Sequence, residues 1–222
     1  MKKESLESSN SAIMKYTARR AGIGINMGRV RAIGSSIRGG EVVHTGVVPF
    51  LKMYESTVKS CTQNGVRGGS ATVHFPIWHQ EIQDILVLKN NKGTEDNRVR
   101  KLDYSIQISK LFYERFMKNE DITLFSPHDV PGLYDAFFNN QDKFKELYER
   151  AERNTKLRKK TIGATELFSM FMEERKNTGR IYLQNVDNAN DHGSFLPEVA
   201  PIRQSNLCAE IDLPTKPLHD IN

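Results

Sequence analysis

The stretch Pro201–Ile211, PIRQSNLCAEI, carries the pattern from which the rest of the chain can be interpreted. Asn206, Cys208 and Glu210 stand at alternate positions, so an extended segment would place their side chains on one face and the apolar residues between them on the other. A thiol can supply a nucleophile, a metal ligand or a hydrogen atom. The amide can bind a hydroxyl group, and the carboxylate can act as a general base. The alternative is a small cysteine buried in a core strand, which is the commoner role of a free cysteine.

Outward from this stretch, short apolar strands alternate with amphipathic helices, which predicts an α/β fold with a largely parallel sheet. No internal repeat or linker-like change of composition divides residues 1–222, so a single unit is expected. Strands are predicted at 23–26, 71–75, 103–108, 122–125 and 180–184, and helices at 8–20, 47–59, 79–88, 109–117, 133–138 and 141–153.

Three further segments complete the expected order of elements. The basic run at 157–160 is interpreted as a solvated helix start, and residues 186–200 as a polar loop leading into the cysteine strand. A last helix is indicated by an apolar stripe that is typical of core packing. The stripe consists of Ile162, Leu167, Phe168, Phe171 and Met172.

Composition restricts the class of protein. The 222 residues carry a net charge of +5, with 38% hydrophobic and 27% charged residues, which is ordinary for a soluble globular protein. No apolar run approaches the roughly 20 residues of a membrane span, and no apolar segment follows the N-terminal lysines, so no membrane association is expected. Cys61 and Cys208 are the only cysteines in the sequence, which favours a reducing, cytoplasmic setting. The basic residues are spread along the chain, so nucleic acid is not expected as a partner.

Residues 28–40, GRVRAIGSSIRGG, form a loop rich in glycine and arginine, which we call the arginine loop. Arg29, Arg31 and Arg38 could each grip a phosphate through a forked guanidinium, and the glycines allow close approach of the backbone. The alternative is a mobile, solvated loop.

Residues 61–69, CTQNGVRGG, form a second loop, which we call the glycine loop. Three glycines around Gln63 and Arg67 describe a segment that can change shape while presenting an amide and a cation, which favours a base-sensing or phosphate-sensing role. Cys61 has no acid or base within two residues and is interpreted as structural.

Other local patterns are weaker. Gly22, Gly24 and Gly28 have the spacing G-x-G-x-x-x-G, but they follow a helix and run through a strand, whereas a dinucleotide fingerprint follows a strand and opens a helix. No metal site is expected, because His79 and Glu81 do not stand at a ligand spacing on one helix face. The pair His128-Asp129 fits a proline-bounded turn better than a proton-transfer pair.

Longer stretches resemble one known family. QSNLCAEI, with Arg203 before it and LPTKPL after it, resembles the active-site finger loop of the large (alpha) subunit of class I ribonucleotide reductase, in which the cysteine carries a transient thiyl radical. AGIGINMGRVRAIGSSIRGGE resembles the family's substrate-side strand and first regulatory loop, and SCTQNGVRGGSATVHFPIWH resembles its second regulatory loop. ITLFSPHDVPGLYDAF and TGRIYLQNVDNAN resemble further signatures, so the likeness covers nearly the whole chain.

The resemblance implies a fold and a reaction. The fold would be part of a ten-stranded α/β barrel made of two antiparallel five-stranded halves, with a finger loop at about 201–213 passing through its centre. Cys208 would carry the thiyl radical that takes a hydrogen atom from the ribose 3′ carbon, and Glu210 would take the 3′ hydroxyl proton. Asn206 would hydrogen-bond the ribose. Ala21 and Gly22 would contact the substrate, a ribonucleoside diphosphate, through backbone groups.

The resemblance also implies effectors and partners. Arg31 and Arg38 would hold the phosphates of a deoxynucleoside triphosphate or ATP effector, and Gln63 and Arg67 would relay its identity to the substrate base. No cofactor would be bound directly, since a metal-containing small (beta) subunit supplies the radical in this family. The other partners would be the remaining large-subunit segments or a homodimer partner.

The sequence departs from the family pattern in ways that bear on activity. Members of the family have two further active-site cysteines, a C-terminal cysteine pair, radical-carrying tyrosines, residues that hold the substrate diphosphate and an N-terminal ATP-binding region, none of which is found here. Met1-Lys2-Lys3 stands where an acidic effector-site residue is expected. We therefore expect the central piece of a large subunit that is inactive alone, whether as a split-gene product, a gene remnant or an incompletely recorded sequence.

Three hypotheses from different classes follow. The first is an enzyme piece that becomes active in a complex. The second is a module that binds nucleotides and has lost catalysis. The third is an unrelated dinucleotide-dependent oxidoreductase, against which the position of the glycines argues.

Overall fold

A computed structural model describes residues 4–63, 65 and 67–214 of the chain. The helices are α1 (Glu4–Ala18), α2 (Val48–Ser60), α3 (Ile82–Leu86), α4 (Lys110–Met117), α5 (Leu133–Asn139), α6 (Gln141–Arg153), α7 (Ala164–Thr178) and α8 (Val186–Asp191). The strands are β1 (Ile23–Asn26), β2 (Ser36–Ile37), β3 (Val42–Val43), β4 (Thr62–Gln63), β5 (Arg67–Gly68), β6 (Ala71–Pro76), β7 (Asp103–Ile108), β8 (Asp121–Phe125), β9 (Lys159–Gly163) and β10 (Ile181–Asn185).

Four strands form the central parallel sheet, in the order β1-β6-β7-β10. The predicted α/β fold with a largely parallel sheet is therefore confirmed. The other described strands form three separate antiparallel pairs, β2 with β3, β4 with β5, and β8 with β9. A closed barrel of ten strands stays a prediction for a longer protein.

The two faces of the parallel sheet differ in chemistry. Because side chains alternate across a strand, one face carries the apolar residues of β1, β6, β7 and β10 and packs with helices α2, α3, α4 and α7 in the main hydrophobic core. The opposite face is polar and yet buried. Its fully buried members include Thr72, His74, Ser105 and Gln107.

A second apolar cluster lies around Trp78 and consists mainly of aromatic residues from α5 and α6. The Trp78 ring meets Phe137 edge to face at 5.8 Å and lies 6.3 Å from Phe144. This cluster fixes α5 beside the end of β8, and so beside the arginine loop.

Several predicted elements need correction between residues 157 and 200. Residues 159–163 are not a helix start but the strand β9, whose Ile162 pairs with Ile122 of β8, so Ile162 belongs to a strand rather than to the helical stripe. The helix begins at Ala164, and Met172 on it is 47% exposed rather than part of the core. The run of charges concealed β9, because its lysines belong to a two-stranded pair with one open face.

The segment 186–200 is also more ordered than expected, since it opens with α8. The predicted helix at 79–88 is shorter and runs over α3, Ile82–Leu86. Within the described residues, no helix is both long and apolar enough to span a bilayer.

Candidate functional site

The C-terminal segment, residues 201–214, lies against the polar face of the sheet. The amide of Gln107 on β7 donates to the carbonyl of Arg203 at 2.8 Å, and the amide of Gln204 donates to the carbonyl of Gly24 on β1 at 2.8 Å. The hydroxyl of Thr72 on β6 donates to the carbonyl of Leu207. Side-chain hydrogen bonds to backbone carbonyls, from both the sheet and the segment, therefore hold the segment in place.

Two further contacts fix the ends of this arrangement. Asn190 of α8 donates to the Ile202 carbonyl at 3.0 Å and accepts the Ile202 N–H at 2.8 Å, as a neighbouring strand would. Gln184 of β10 donates to Asp212 Oδ1 at 3.0 Å. Burial raises the pKa of Asp212, although the hydrogen bond from Gln184 opposes that rise.

Asn206 organises a tight turn within the segment. Its Oδ1 accepts the backbone N–H of Glu210 at 3.1 Å and that of Ile211 at 3.2 Å. Its Nδ2 donates to Glu210 Oε1 at 2.7 Å, so the amide and the carboxylate are in direct contact. Cys208 lies in the turn between them and is exposed.

The extended conformation expected for this stretch is therefore wrong. Residues 207–209 form a turn, and Ala209 has a positive φ of 61°. An asparagine side chain that bonds backbone N–H groups four and five residues onward closes a turn in competition with a strand. The alternative of a small cysteine buried in the core is also wrong, because Cys208 is exposed. Asn206 and Glu210, which an extended segment would place on either side of Cys208, instead contact each other across the turn.

A cavity of about 510 Å³ lies between this segment, β1 and the inner face of α1. Ala21, Gly22 and Asn206 all line it, together with Ile13 and Tyr16 of α1. Cys208 and Glu210 are exposed in the same turn and are not among the described residues that line the cavity. Three of the predicted substrate-contacting residues therefore meet around one space.

The glycines of β1 are explained by this close approach. A Cβ atom at Gly24 would lie 1.9 Å from the carbonyl oxygen of Ser205, and one at Gly22 would lie 2.6 Å from the Leu207 side chain. Because no helix opens after β1, these glycines do not form a dinucleotide fingerprint, as the sequence already indicated.

His74 is the buried titratable group beneath the segment. The backbone of Ser205 and Asn206 comes near its imidazole, but neither ring nitrogen forms a hydrogen bond of normal geometry with the described residues. Burial lowers the pKa of His74 to about 4, with the nearby backbone acting in the opposite direction. The ring is therefore neutral at physiological pH.

The end of the arginine loop forms a small hairpin with the residues that follow it, in which β2 pairs with β3. Arg38 is exposed at the tip of this hairpin, and Arg31 is half-buried near its base. Arg31 donates to the Ser36 carbonyl at 2.6 Å. Burial, and after it the charge of Arg31, lowers the pKa of both His44 and His128. Arg31 therefore stands in a group of basic side chains, which favours an anion as ligand.

A buried carboxylate fastens the base of this loop. Glu81 accepts the backbone N–H of Ile33 at 2.9 Å and that of Val47 at 3.2 Å. Burial raises the pKa of Glu81, while these two hydrogen bonds oppose the rise. Glu81 therefore ties the middle of the loop to the start of α2, whereas Arg38 at the tip of the hairpin is exposed.

The glycine loop forms the hairpin of β4 and β5, in which Gln63 pairs with Arg67. The side chains of Gln63 and Arg67, and residues 64 and 66, lie outside the described part of the chain. Cys61 is partly buried, with its Sγ 3.9 Å from the carbonyl oxygen of Met14. Among the described residues, no group of three or more His, Cys, Asp or Glu side chains could hold a metal ion.

Comparison with known proteins identifies the family. The sequence profile described as "Ribonucleotide reductase, barrel domain" matches residues 2–221. The chain belongs to the ribonucleotide reductase barrel-domain family. It is 60% identical over 219 residues to the ribonucleoside-diphosphate reductase subunit alpha of Haemophilus influenzae, covering 99% of this chain and 29% of that protein.

Other reductases are similarly close. The subunit alpha of ribonucleoside-diphosphate reductase 1 from Escherichia coli is 60% identical over 217 residues, covering 98% of this chain and 28% of that protein. The subunit alpha of the ribonucleoside-diphosphate reductase from Enterobacteria phage T4 is 54% identical over 220 residues, covering 99% of this chain and 29% of that protein. The chain thus spans less than a third of the length of these relatives, and the family expected from the motifs is confirmed.

The polar face of the sheet was not predicted from the sequence of this barrel domain. Thr72 and His74 on β6, and Gln107 on β7, alternate with apolar residues, and that alternation was a usable signal for a polar face. It could not show that the covering element would be a distant segment rather than water. Asn190 and Gln184 gave no comparable signal, since their roles depend on the position of the segment.

Proposed function

We propose that the chain is the barrel portion of a ribonucleotide reductase large subunit, which reduces ribonucleoside diphosphates to deoxyribonucleotides. The observation that carries this proposal is the turn in which Asn206 contacts Glu210 with Cys208 between them, next to a cavity of about 510 Å³. That volume is in the range of small-molecule sites, which is roughly 300–1,000 Å³.

The residues of the turn would divide the chemistry. A thiyl radical on Cys208 takes the hydrogen atom from the ribose 3′ carbon, which restores the thiol and leaves the unpaired electron on the sugar. Glu210 accepts the proton of the 3′ hydroxyl group. Asn206 donates one amide hydrogen to Glu210, so the other amide hydrogen is available to the ribose.

The substrate would occupy the cavity along Ala21 and Gly22. A Cβ atom at Gly22 would meet the Leu207 side chain, so contact with the substrate there would come from backbone groups. The fit is supported by the lining of the cavity, in which Asn206 faces the same space as these two residues.

The arginine loop would bind the effector, a deoxynucleoside triphosphate or ATP, through Arg31 and Arg38. Support comes from the basic surroundings of Arg31 and the exposed guanidinium of Arg38. Gln63 and Arg67 in the glycine loop would pass the identity of the effector to the substrate base.

The radical would come from a separate, metal-containing small subunit, so the chain itself would bind no cofactor. The other partners would be the remaining segments of the large subunit and a second copy of it. A cytoplasmic location suits a reaction that depends on free thiols.

The test uses the complete large subunit that contains this chain, mixed with its small subunit, a dithiol reductant and a ribonucleoside diphosphate. Cys208→Ser should abolish deoxynucleotide formation, because an alcohol cannot replace a thiol as the hydrogen-atom carrier. Cys61→Ser is the matched control and should retain turnover. Turnover by the Cys208→Ser protein would contradict the proposal.

A second candidate is a nucleotide-binding module without catalysis. Two observations favour it. Cys208 and Glu210 are exposed and do not line the cavity, whereas the base of the arginine loop is held in place by Glu81. Binding of a deoxynucleoside triphosphate together with no turnover in any mixture of subunits would support this candidate.

A further inference from the structure

Asp135 of α5 binds an arginine from each of the two segments to which the proposed function assigns roles. Arg29 at the start of the arginine loop contacts its Oδ1. Arg203 of the C-terminal segment contacts the same Oδ1 at 2.7 Å. Arg203 stands three residues before Asn206. One carboxylate oxygen therefore joins the arginine loop to the segment that carries the proposed catalytic turn.

The adjacent Tyr134 makes a second, neutral connection between the same segments. The guanidinium carbons of Arg29 and Arg203 lie 4.8 Å and 5.7 Å from the centre of its ring. Its hydroxyl donates to Asn26 Oδ1 at 2.7 Å, and that oxygen also accepts the N–H of Gly28 at 2.9 Å. The amide nitrogen of Asn26 donates to the Arg203 carbonyl. The cluster thus reaches both the side chain and the backbone of Arg203.

The charges of this cluster are unequal. Burial tends to raise the pKa of Asp135, but the hydrogen bond from Arg203 and the charge of Arg29 outweigh it and lower the pKa. The carboxylate therefore stays ionised and balances only one of the two cations. The Arg29 side chain is 53% exposed and that of Arg203 is 23% exposed, so Arg29 is the one that a dissolved anion can reach.

We propose that Asp135 is a positioning residue that couples the arginine loop to the Asn206 turn. An anionic ligand on the loop competes for Arg29, which leaves Asp135 to Arg203 alone and shifts the turn that begins three residues later. The ligand class is a nucleoside triphosphate, and this inference rests on the proposed function. The connection is separate from the one assigned to Gln63 and Arg67.

The experiment uses the complete large subunit with its small subunit and compares turnover with and without a deoxynucleoside triphosphate. Asp135→Asn keeps the size of the side chain and removes its charge. Turnover without the effector should stay within about twofold of the parent, while the change caused by the effector should shrink about threefold or more, as expected for a residue that modulates coupling. The affinity for the effector should rise when substrate is added to the parent, and less so in the variant, because coupling is reciprocal.

The matched control is Glu114→Gln, which breaks a comparable ion pair, 2.9 Å to Lys145, between α4 and α6. It should leave the response to the effector unchanged. Tyr134→Phe removes the hydroxyl, with its hydrogen bond to Asn26 and its interaction with Arg203. It should weaken the response in the same direction, which provides a second test if Asp135→Asn does not fold.

The outcomes separate the two levels of inference. In one outcome, the parent enzyme shows turnover and a change in turnover on addition of the effector. If Asp135→Asn and Tyr134→Phe then show the same change as the parent, the coupling role is overturned and the proposed function stands. A fall of basal and stimulated turnover by the same factor would show a purely structural role and would also overturn it. If the complete parent enzyme shows no turnover, the proposed function fails and the coupling fails with it.

Discussion

Gly24 is the residue at which the C-terminal segment comes closest to the sheet. A Cβ atom there would lie 1.9 Å from the Ser205 carbonyl oxygen and 3.2 Å from His74 Nε2. The substitution Gly24→Ala should therefore push the segment away and lower the free energy of unfolding by about 1–3 kcal/mol, the usual cost of overpacking a tight site. Urea unfolding measures the loss, and limited proteolysis should show faster cleavage near residue 205.

Gly163→Ala is the control for this prediction. Its nearest neighbour would be the Glu166 side chain at 3.8 Å, an ordinary contact, and its φ of −58° suits alanine. Unchanged proteolysis of Gly24→Ala relative to Gly163→Ala would show that the segment is not held against β1.

At the scale of residues, the polar side chains of this stretch could be predicted from the sequence, but their contacts could not. An extended strand would place Asn206 and Glu210 on one face with Cys208 between them, whereas they contact each other directly because Asn206 closes a turn. Both conformations satisfy the same spacing, so spacing alone could not separate them. The positive φ of Ala209 has no signature in the sequence, since alanine rarely adopts it.

Among the elements, the arginine loop yields a prediction about pH. Burial and the charge of Arg31 hold the pKa values of His44 and His128 below their usual value of 6.5, so both rings tend to be neutral in the free protein. A bound triphosphate raises these pKa values, and binding is then coupled to proton uptake. The affinity should therefore increase as the pH falls through the range just below 6.5 and should level off well above it.

Equilibrium dialysis of a deoxynucleoside triphosphate between about pH 5 and 8, where histidine changes charge, measures this dependence. His128→Asn should flatten the profile, whereas His192→Asn, at the end of α8, should leave it unchanged. If the affinity of the parent protein for the nucleotide does not depend on pH, these histidines are not part of the binding site.

The elements themselves were predicted well where apolar periodicity was strong. The helices α2 and α6 and the strands β6 and β7 lie within two residues of their predicted limits. The strand β9 was missed, because Lys159 and Lys160 mask its periodicity and its partner β8 lies far away in the sequence. Non-local pairing of this kind depends on tertiary contacts that a local pattern does not contain.

For the whole molecule, the match to less than a third of each relative has a measurable consequence. The chain alone should give no deoxynucleotide, and it should self-associate, because apolar side chains remain exposed on α1, α2 and β3. These exposed residues include Met14, Tyr16, Val42, Val43 and Met53. Sedimentation velocity over a range of concentrations measures the association, and a nucleotide reduction assay measures the activity. A monomeric, active chain would contradict both expectations.

The polar face of the parallel sheet has a consequence for motion. Thr72, Ser105 and Gln107 are groups that water can hydrate as readily as a peptide backbone. Pro201 and Ile202 are buried, but no apolar residue of 203–214 is, so detaching residues 203–214 would expose little hydrocarbon. The sheet would stay folded, because its apolar side remains packed against helices. Hydration of this interface therefore costs little free energy, and the segment above it can detach and bind again without unfolding of the domain.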